Sequence, residues 1–123
     1  MQFIFKFRDL SKFVDFLNQL MNNVFNYRNW DTPETFTCIN NGKIVIVYRC
    51  YWEDICLLEL GEVNFSIENN VLTCKITLYK NVLFEKVGID ETLYDIFRKE
   101  VNHIINNLQN LQTLADEYEL CIF

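Results

Sequence analysis

Histidine and cysteine serve most protein metal sites and much acid–base and nucleophilic catalysis, and this 123-residue chain has one histidine and five cysteines. If the region around His103 is helical, its neighbours one turn away are Lys99, Glu100 and Asn107, which are typical of a solvent-facing surface. No two cysteines are spaced as Cys-x-x-Cys, the spacing of many zinc sites. We therefore predict a protein that is not an enzyme and has no catalytic residue, metal site or cofactor.

Four cysteines fall at inward-facing positions of the predicted strands, where a cysteine usually serves as a small apolar side chain. These four are Cys38, Cys50, Cys56 and Cys74. A disulfide between Cys50 and Cys56, which would face each other across a turn, is conceivable, although tight cross-strand bridges are strained. The odd number of cysteines argues against an oxidised secreted framework, so a reducing cytoplasm is the predicted location.

No apolar run approaches the roughly 20 residues that a membrane-spanning helix needs. Charged residues within the first ten positions also argue against an amino-terminal signal peptide. Both observations agree with the cytoplasmic location predicted from the cysteines.

Paired carboxylates occur at three places, and two of the pairs have local explanations. Glu53-Asp54 suits a turn, and Asp90-Glu91 suits a helix N-terminus. The third group, Asp116, Glu117 and Glu119, follows a predicted long helix, where the helix dipole disfavours acid by roughly 0.3 to 1 kcal/mol. Two explanations are open: the helix ends before Ala115, or these carboxylates form an acidic patch that binds a partner.

The net charge is −6 and is concentrated in the second half of the chain. Residues 1–52 carry six basic and four acidic side chains, whereas residues 53–123 carry five basic and thirteen acidic ones. Such a surface repels nucleic acid and attracts a basic protein, for example one with a nucleic-acid-binding groove. The alternative explanation is that the acidic residues only keep a hydrophobic small protein in solution.

Trp52 lies at a predicted loop tip beside two carboxylates, and interfaces favour exposed tryptophan. We therefore predict a non-catalytic acidic interaction module that binds a basic protein partner. The predicted partner-binding residues are Trp52, Glu53, Asp54, Asp116, Glu117 and Glu119.

The composition gives a further indication of the kind of protein. Fifteen asparagines and 12 isoleucines against one alanine are typical of an AT-rich coding sequence. In size, charge and lack of motifs the chain is similar to small inhibitors of viruses and mobile elements, such as anti-CRISPR and toxin immunity proteins. This similarity implies a viral accessory protein that acts as an inhibitor.

The amino-terminal region predicts a strand followed by a helix. Phenylalanines at positions 3, 5 and 7 predict a strand over residues 2–7 with one aromatic face. A helix is then predicted from an N-cap at Asp9 or Ser11 to about Tyr27. Its expected core stripe is Leu10, Phe13, Val14, Leu17, Leu20, Met21, Val24 and Phe25.

Two asparagine-rich turns predict β-hairpins in residues 35–87. A two-residue loop at Asn69-Asn70 sets the pairs Ile67/Leu72, Phe65/Cys74, Val63/Ile76, Ser66/Thr73, Asn64/Lys75 and Glu62/Thr77. The turn at Asn40-Asn41-Gly42, interpreted as a three-residue loop, sets the pairs Cys38/Ile44 and Phe36/Ile46.

The strand predicted over residues 43–52 is apolar on both faces, which indicates a central strand. A three-residue loop at Trp52-Glu53-Asp54 would set the pairs Cys50/Cys56, Tyr48/Leu58 and Ile46/Leu60. Beyond Gly61 the apolar positions change from even to odd numbers, so a β-bulge is predicted there. The next strand is expected from Val71 to about Lys80, and Val82-Leu83-Phe84 continues it or starts another.

A second, longer helix is predicted from Ile89-Asp90-Glu91-Thr92, with an unbroken apolar stripe. The stripe is Leu93, Ile96, Phe97, Val101, Ile104, Leu108, Leu111 and Ala115. The apolar tail 120–123 is a candidate for a last short strand.

These elements predict one α+β domain over residues 1–123, with an antiparallel sheet of about four to six strands packed against both helices. The order β-α-β-β-β-β-α, with a possible terminal β, resembles the plan of helix-grip proteins, in which a long carboxy-terminal helix lies across a curved sheet. That resemblance implies an alternative function, a small-ligand cavity lined by Tyr48, Phe65, Phe97 and Val101. A homodimer through the open sheet edge, or through the second face of strand 43–52, is a further alternative.

Overall fold

The computed structural model describes residues 1–25, 28–29, 32–33, 35–50, 56–79 and 91–122. The strands are β1 (Gln2–Phe7), β2 (Arg28–Asn29), β3 (Thr32–Pro33), β4 (Thr35–Asn40), β5 (Lys43–Cys50), β6 (Cys56–Glu68), β7 (Val71–Leu78) and β8 (Glu117–Cys121). The helices are α1 (Leu10–Gln19), which continues as a π-helical segment (Leu20–Val24), and α2 (Glu91–Asn110), which ends in a 3₁₀ turn (Leu111–Leu114). The predicted α+β class and element order are confirmed.

Six strands form one antiparallel sheet in the order β4-β5-β6-β7-β1-β8, while β2 and β3 pair separately. Strand β1 thus lies between β7 and β8; a last strand is present as predicted, but it begins at Glu117 and not at Leu120. Both helices contribute to a single hydrophobic cluster on one face of the sheet, here called the inner face. The fully buried phenylalanines of β1, Phe3, Phe5 and Phe7, lie at its centre.

The β6–β7 hairpin has the predicted register at every predicted pair, from Ile67/Leu72 to Glu62/Thr77. Its two loop residues, Asn69 and Asn70, have φ of 52° and 63°. Positive φ at both positions defines a type I′ turn, whose twist matches that of the flanking strands, and asparagine tolerates this conformation better than most residues.

The β4–β5 hairpin differs from the prediction by one residue. Its loop has two residues, Asn41 (φ 53°) and Gly42 (φ 77°), so Cys38 pairs with Val45 and Phe36 with Val47. The predicted pairs Cys38/Ile44 and Phe36/Ile46 are wrong because Asn-Gly forms a type I′ turn without help from Asn40. The one-residue shift moves every side chain of β4 to the other face, and Cys38 is exposed instead of inward-facing.

The predicted bulge near Gly61 is confirmed where β5 meets β6. Cys50 pairs with Cys56 and Tyr48 with Leu58 as predicted, but the register then shifts, and Ile46 pairs with Gly61 instead of Leu60. A Cβ atom at Gly61 would overlap the carbonyl oxygen of Thr77 on β7. The close approach of the two backbones requires glycine at this position.

Strand β5 is central and buried on both faces, as predicted from its continuous apolar run. Ile46 and Tyr48 belong to the inner-face cluster, and Val45 and Val47 on the opposite face are also buried. The Trp52-Glu53-Asp54 loop, residues 82–84 and the side chains of Cys50 and Cys56 lie outside the described residues.

Helix α1 begins at the predicted N-cap, where the carboxylate of Asp9 accepts hydrogen bonds from the backbone N–H and the hydroxyl of Ser11, at 2.9 and 2.8 Å. The predicted core stripe is only partly correct. Leu20, Val24 and Phe25 are buried, but Leu10 and Val14 are exposed, and the buried Phe16 was not predicted. Phe16 packs between the rings of Phe5 and Phe7, with centroid distances of 4.7 and 4.8 Å.

Helix α2 carries the predicted stripe over its described side chains: Val101, Ile104, Leu108 and Leu111 are buried. Its regular helix ends at Asn110, and the chain leaves the following 3₁₀ turn at Ala115. Among the described helices, none combines the length and apolar character needed to cross a bilayer.

Candidate functional site

The predicted acidic patch at Asp116 and Glu117 lies at the start of β8, beside the β1–α1 junction. Asp116 accepts a hydrogen bond from the backbone N–H of Arg8 at 2.8 Å and pairs with Lys12 Nζ at 2.8 Å. Glu117 pairs with the Arg8 guanidinium at 2.8 Å and more loosely with Lys6 at 4.0 Å. Because the helix ends before Ala115, the dipole argument against acid at these positions no longer holds, and both carboxylates have basic neighbours within the chain.

The hydrogen bonds stabilise the charged forms of these groups. The Arg8 backbone N–H, and then Lys12, hold the pKa of Asp116 below its ordinary value. The hydrogen bond with Asp116 and the negative charge of Asp116 raise the pKa of Lys12. This ion cluster therefore joins the two ends of the described chain.

Of the remaining predicted partner-binding residues, Glu119 lies beside this cluster, because it lines one surface cavity with Lys6 and Glu117. Glu119 lies on β8 facing away from the inner face, and its Oε1 accepts a weak hydrogen bond from Cys121 Sγ at 3.5 Å. Burial is the main cause that raises the pKa of Cys121, and the hydrogen bond with Glu119 and the negative charge of Glu119 raise it further. Trp52, Glu53 and Asp54 lie outside the described residues, so their part in a partner site stays a prediction.

Groups that could do chemistry are dispersed across the described residues. His103 is half-buried, and its ring nitrogens lie 3.3 Å from Asn107 Nδ2. Cys74 is buried as predicted, and burial raises its pKa to about 12, so it stays protonated at neutral pH. No group of three or more potential metal ligands occurs among the residues that the structure describes.

An apolar groove with a volume of about 500 Å³ lies between α1 and the β6–β7 hairpin. We call it the α1–hairpin groove. Its walls are Phe13, Leu17, Phe65, Ser66, Ile67, Leu72 and Thr73. Phe65 is 45% and Ile67 74% exposed, and the exposed Leu10 (66%) and Val14 (46%) lie on the same helix as Phe13. The apolar side chains here exceed what the fold itself buries.

The groove exists because the hairpin is longer than the helix layer that covers it. Phe13 and Phe65 meet edge to face at a centroid distance of 6.1 Å, which fixes α1 against β6. Beyond this contact Ile67 continues towards the tip at Asn69-Asn70 with no helix above it among the described residues. A smaller cavity of about 180 Å³ continues under α1 towards β4 and includes Thr37 and Ile44.

The sequence predicted the positions of these apolar residues but not the groove. The stripe assigned to α1, with Phe16 added, occupies more of the helix circumference than one sheet contact can cover. That excess indicates a second apolar surface and could have identified the groove. The cavity predicted against the long helix is arranged differently: Tyr48 and Val101 are buried in the core, Phe65 lines the groove beside α1, and the Phe97 side chain lies outside the described residues.

The strands beneath the groove are acidic. Strands β6 and β7 carry three glutamates, Glu59, Glu62 and Glu68, against one lysine, Lys75. On α1, Lys12 is paired with Asp116, whereas Asp15 is exposed. The three glutamates lie on the face of the sheet opposite the groove, and Glu62 is paired with Lys43, so the negative charge surrounds the hairpin and does not line the groove.

Comparison with protein-family models, with curated proteins and with solved structures found no match to this chain.

Proposed function

We propose that this chain is a non-catalytic protein-interaction domain that binds a basic, amphipathic segment of a partner protein in the α1–hairpin groove. The observation that carries the proposal is the exposure of large apolar side chains along this groove, in a chain whose net charge is −6. Apolar groups supply affinity by leaving water, and carboxylates nearby select a partner with Lys or Arg.

The shape of the groove favours an amphipathic helix as the occupant. One wall is a helix and the other is a hairpin, so the apolar stripe of a second helix can lie beside α1 on the end of the inner face that none of the described helices covers. A basic residue on the solvent side of such a helix would lie near the exposed Asp15 of α1, whereas the glutamates of β6 lie on the opposite face of the sheet.

The acidic residues predicted from the sequence remain part of the proposal, with unequal weight. Asp116 and Glu117 are already paired with Arg8, Lys12 and Lys6, so a partner gains less from them than from unpaired carboxylates. The second contact proposed for a basic partner is accordingly made mainly by Glu119 and by Trp52, Glu53 and Asp54.

A domain of this kind suits an inhibitor. By occupying the basic nucleic-acid groove of an enzyme, an acidic domain would exclude the natural polyanion, which is the action we propose for a viral or mobile-element accessory protein. The three described free thiols, Cys38, Cys74 and Cys121, support the proposal of a reducing cytoplasm.

The groove is tested with a synthetic helical peptide that carries a leucine stripe flanked by lysines. We expect it to bind the full chain, with an affinity that falls as salt is raised. A peptide with glutamate in place of lysine is expected to bind at least about tenfold more weakly. Equal binding of the two peptides would contradict the charge part of the proposal.

A pair of variants with the same chemical change separates the groove from general hydrophobic adsorption. Ile67→Ser lies in the groove, whereas Ile122→Ser removes an isoleucine of similar exposure (68%) on the carboxy-terminal segment. Loss of one buried isoleucine contact should weaken peptide binding about tenfold or more in Ile67→Ser, and Ile122→Ser should bind normally. Equal affinities of the two variants would refute the groove as the binding site.

The second candidate function is binding of a small apolar ligand. It is favoured by the groove volume of about 500 Å³, which falls in the roughly 300 to 1,000 Å³ range of small-molecule pockets. An environment-sensitive apolar dye tests it: binding that Ile67→Ser abolishes and the lysine peptide does not displace would favour the ligand over the partner protein.

A further inference from the structure

The smaller cavity beneath α1, with a volume of about 180 Å³, extends into the core, and we call it the inner pocket. Leu20, Phe25 and Val63 line it and are core residues, each at most 5% exposed. The other residues that line it are Leu17, Met21, Thr37, Ile44 and Phe65. Thr37 is the one polar residue among these eight, so the inner pocket is an apolar recess in the core.

The helix widens where it passes over the inner pocket. The backbone N–H of Phe25 donates to the carbonyl oxygen of Leu20 at 2.9 Å, a bond between residues five positions apart instead of the four of an α-helix. This π-helical segment supplies Leu20 and Met21 to the wall of the pocket, and Phe25 follows directly. Short π-helical segments are rare and occur frequently at functional sites. The helix geometry is therefore a second observation that points to binding here.

The inner pocket and the α1–hairpin groove adjoin each other, because Leu17 and Phe65 line both of them. Thr37 on β4 and Ile44 on β5 line only the inner pocket, whereas Ile67 lines only the groove. A segment that lies in the groove beside α1 therefore runs past Leu17 and Phe65, next to the inner pocket. One side chain of such a segment can enter the pocket while its neighbours stay in the groove.

The volume of the inner pocket fits one compact apolar group. An apolar cavity of about 150 Å³ in a protein core stays dry and binds benzene, which has the size of a phenylalanine ring. We propose that the inner pocket binds the anchor of the partner segment, a single phenylalanine side chain, while the rest of that segment lies in the α1–hairpin groove. The inference rests on the function proposed above. Anchor side chains that fill desolvated pockets dominate the binding free energy of many interfaces.

The side chains around the inner pocket favour an aromatic anchor over an aliphatic or a charged one. Phe25 and Phe65 both line the pocket, and aromatic pairs gain more than their buried area alone supplies. Met21 is unbranched and adapts to the shape of a ligand, and its sulfur contacts aromatic rings favourably. The residues that line the pocket carry no charge, so a lysine anchor would lose its hydration without gaining a partner.

A scan of the leucine–lysine peptide tests the anchor. Each leucine of its stripe is replaced in turn by alanine and by phenylalanine. We expect one position at which alanine weakens binding about tenfold more than elsewhere and phenylalanine strengthens it, because one side chain alone reaches the inner pocket. Ile44→Phe fills the pocket from β5 and should abolish this difference between positions. Ile39→Phe is the matched control and should keep it, because Ile39 pairs with Ile44 but is 79% exposed.

Benzene tests the inner pocket without a peptide. It should raise the melting temperature of the wild-type chain and of Ile39→Phe, because a ligand that binds the folded state stabilises it. It should leave the melting temperature of Ile44→Phe unchanged, since the pocket of that variant is already filled. Met21→Phe fills the pocket from the helix instead and should behave like Ile44→Phe, which keeps the test valid if one of the two variants fails to fold.

The outcomes separate the anchor from the proposed function. Peptides that bind, but with an equal loss at every leucine position, would refute the anchor while retaining the groove as the binding site. Benzene binding together with that result would assign the inner pocket to a free small ligand and would also refute the anchor. A melting temperature that benzene leaves unchanged in the wild-type chain would mean that the pocket does not admit a ring. Peptides that do not bind at all would refute the proposed function together with the anchor.

Discussion

At the scale of single residues, Asp116 shows how one side chain can have a structural role that its sequence position conceals. Its carboxylate bonds the backbone N–H of Arg8, at the exit of β1, and the ammonium of Lys12, on α1. It therefore holds the start of β8 against the β1–α1 junction. The sequence showed an acidic residue near a helix end, but its basic partners are more than 100 positions away, a separation that no local pattern records.

Asp116→Asn should lower the melting temperature at neutral pH, because the neutral amide loses the charge interactions with Arg8 and Lys12. The pKa of Asp116 is lowered in the folded chain, so as pH falls the unfolded chain takes up the proton first. The stabilisation is therefore complete above the unfolded pKa of about 4 and is lost as pH falls through the lower, folded pKa. Melting curves from about pH 7 to about pH 2 should show the difference between variant and wild type disappearing.

Asp15→Asn on the exposed side of α1 is the matched control for that series. It should leave the melting temperature nearly unchanged at every pH. If Asp116→Asn and wild type differed by the same amount at neutral and acid pH, the loss would come from the shape of the side chain and not from its charge.

Tyr118 offers a residue-scale prediction of opposite sign. Its ring packs on Phe5 at a centroid distance of 5.2 Å, but its hydroxyl is buried with no hydrogen-bond partner among the described residues. Burial also raises the pKa of this hydroxyl. Tyr118→Phe keeps the ring and removes the unsatisfied group, so we expect it to stabilise the fold by up to about 1 kcal/mol in chemical denaturation.

Tyr118→Ala is the contrast, because it removes the ring as well. It should destabilise the fold by a few kcal/mol, roughly the cost of truncating a packed aromatic residue. A clear loss of stability in Tyr118→Phe would mean that the hydroxyl does have a partner.

At the scale of elements, the sequence predicted which strands pair with each other better than it predicted which face of the sheet each side chain lies on. The register of β6–β7 followed from the sequence because both loop positions and all six flanking pairs agreed on one solution. In β4–β5, the three residues Asn40-Asn41-Gly42 allowed loops of two or three residues, and the apolar pattern of β4 was too weak to choose between them. Because side chains alternate with a period of two, this one-residue difference in loop length places Cys38 on the face of the sheet opposite to the predicted one.

Helix α1 shows the opposite limitation. The helical period was clear from the sequence. The period shows which residues share a face of the helix, but it does not show which of the apolar faces packs against the sheet. The structure uses the 16-20-24 stripe for the core and leaves Leu10 and Val14 outside. Apolar residues in excess of one stripe therefore indicate a second surface, which here became the α1–hairpin groove.

The bulge in β6 gives the element-scale prediction. Gly61→Ala should destabilise the fold by about 2 kcal/mol or more, because the new methyl group overlaps the backbone oxygen of Thr77 and the two strands must separate. Gly42→Ala is the control: the space around it is open, and only its φ of 77° is unfavourable. Its cost should be about 1 kcal/mol. If urea denaturation showed the same loss of unfolding free energy for both variants, β6 would have to relax at the bulge to accommodate the methyl group.

At the scale of the whole molecule, the position of β1 in the sheet could not be predicted from the hairpin turns. The hairpin-linked strands β4 to β7 pair in sequence order, as predicted, but β1 joins the sheet between β7 and β8, far from both in the chain. The aromatic face of β1 was visible in the sequence, and it indicated that one face of the strand is buried but not which strands lie on either side of it. Through β1, the two ends of the described chain belong to one sheet.

This topology predicts how the molecule opens, measurable by amide hydrogen exchange. Strand β1 bonds to β7 on one side and β8 on the other, so the Phe5 amide can exchange only when the sheet comes apart, and its protection should equal the global unfolding free energy. In the β4–β5 hairpin Asn40 and Lys43 flank a two-residue loop, so the amides of Thr37 and Ile39 point away from β5 and should exchange by local fluctuation. A Phe5 amide that exchanged as fast as Ile39 would contradict the central placement of β1.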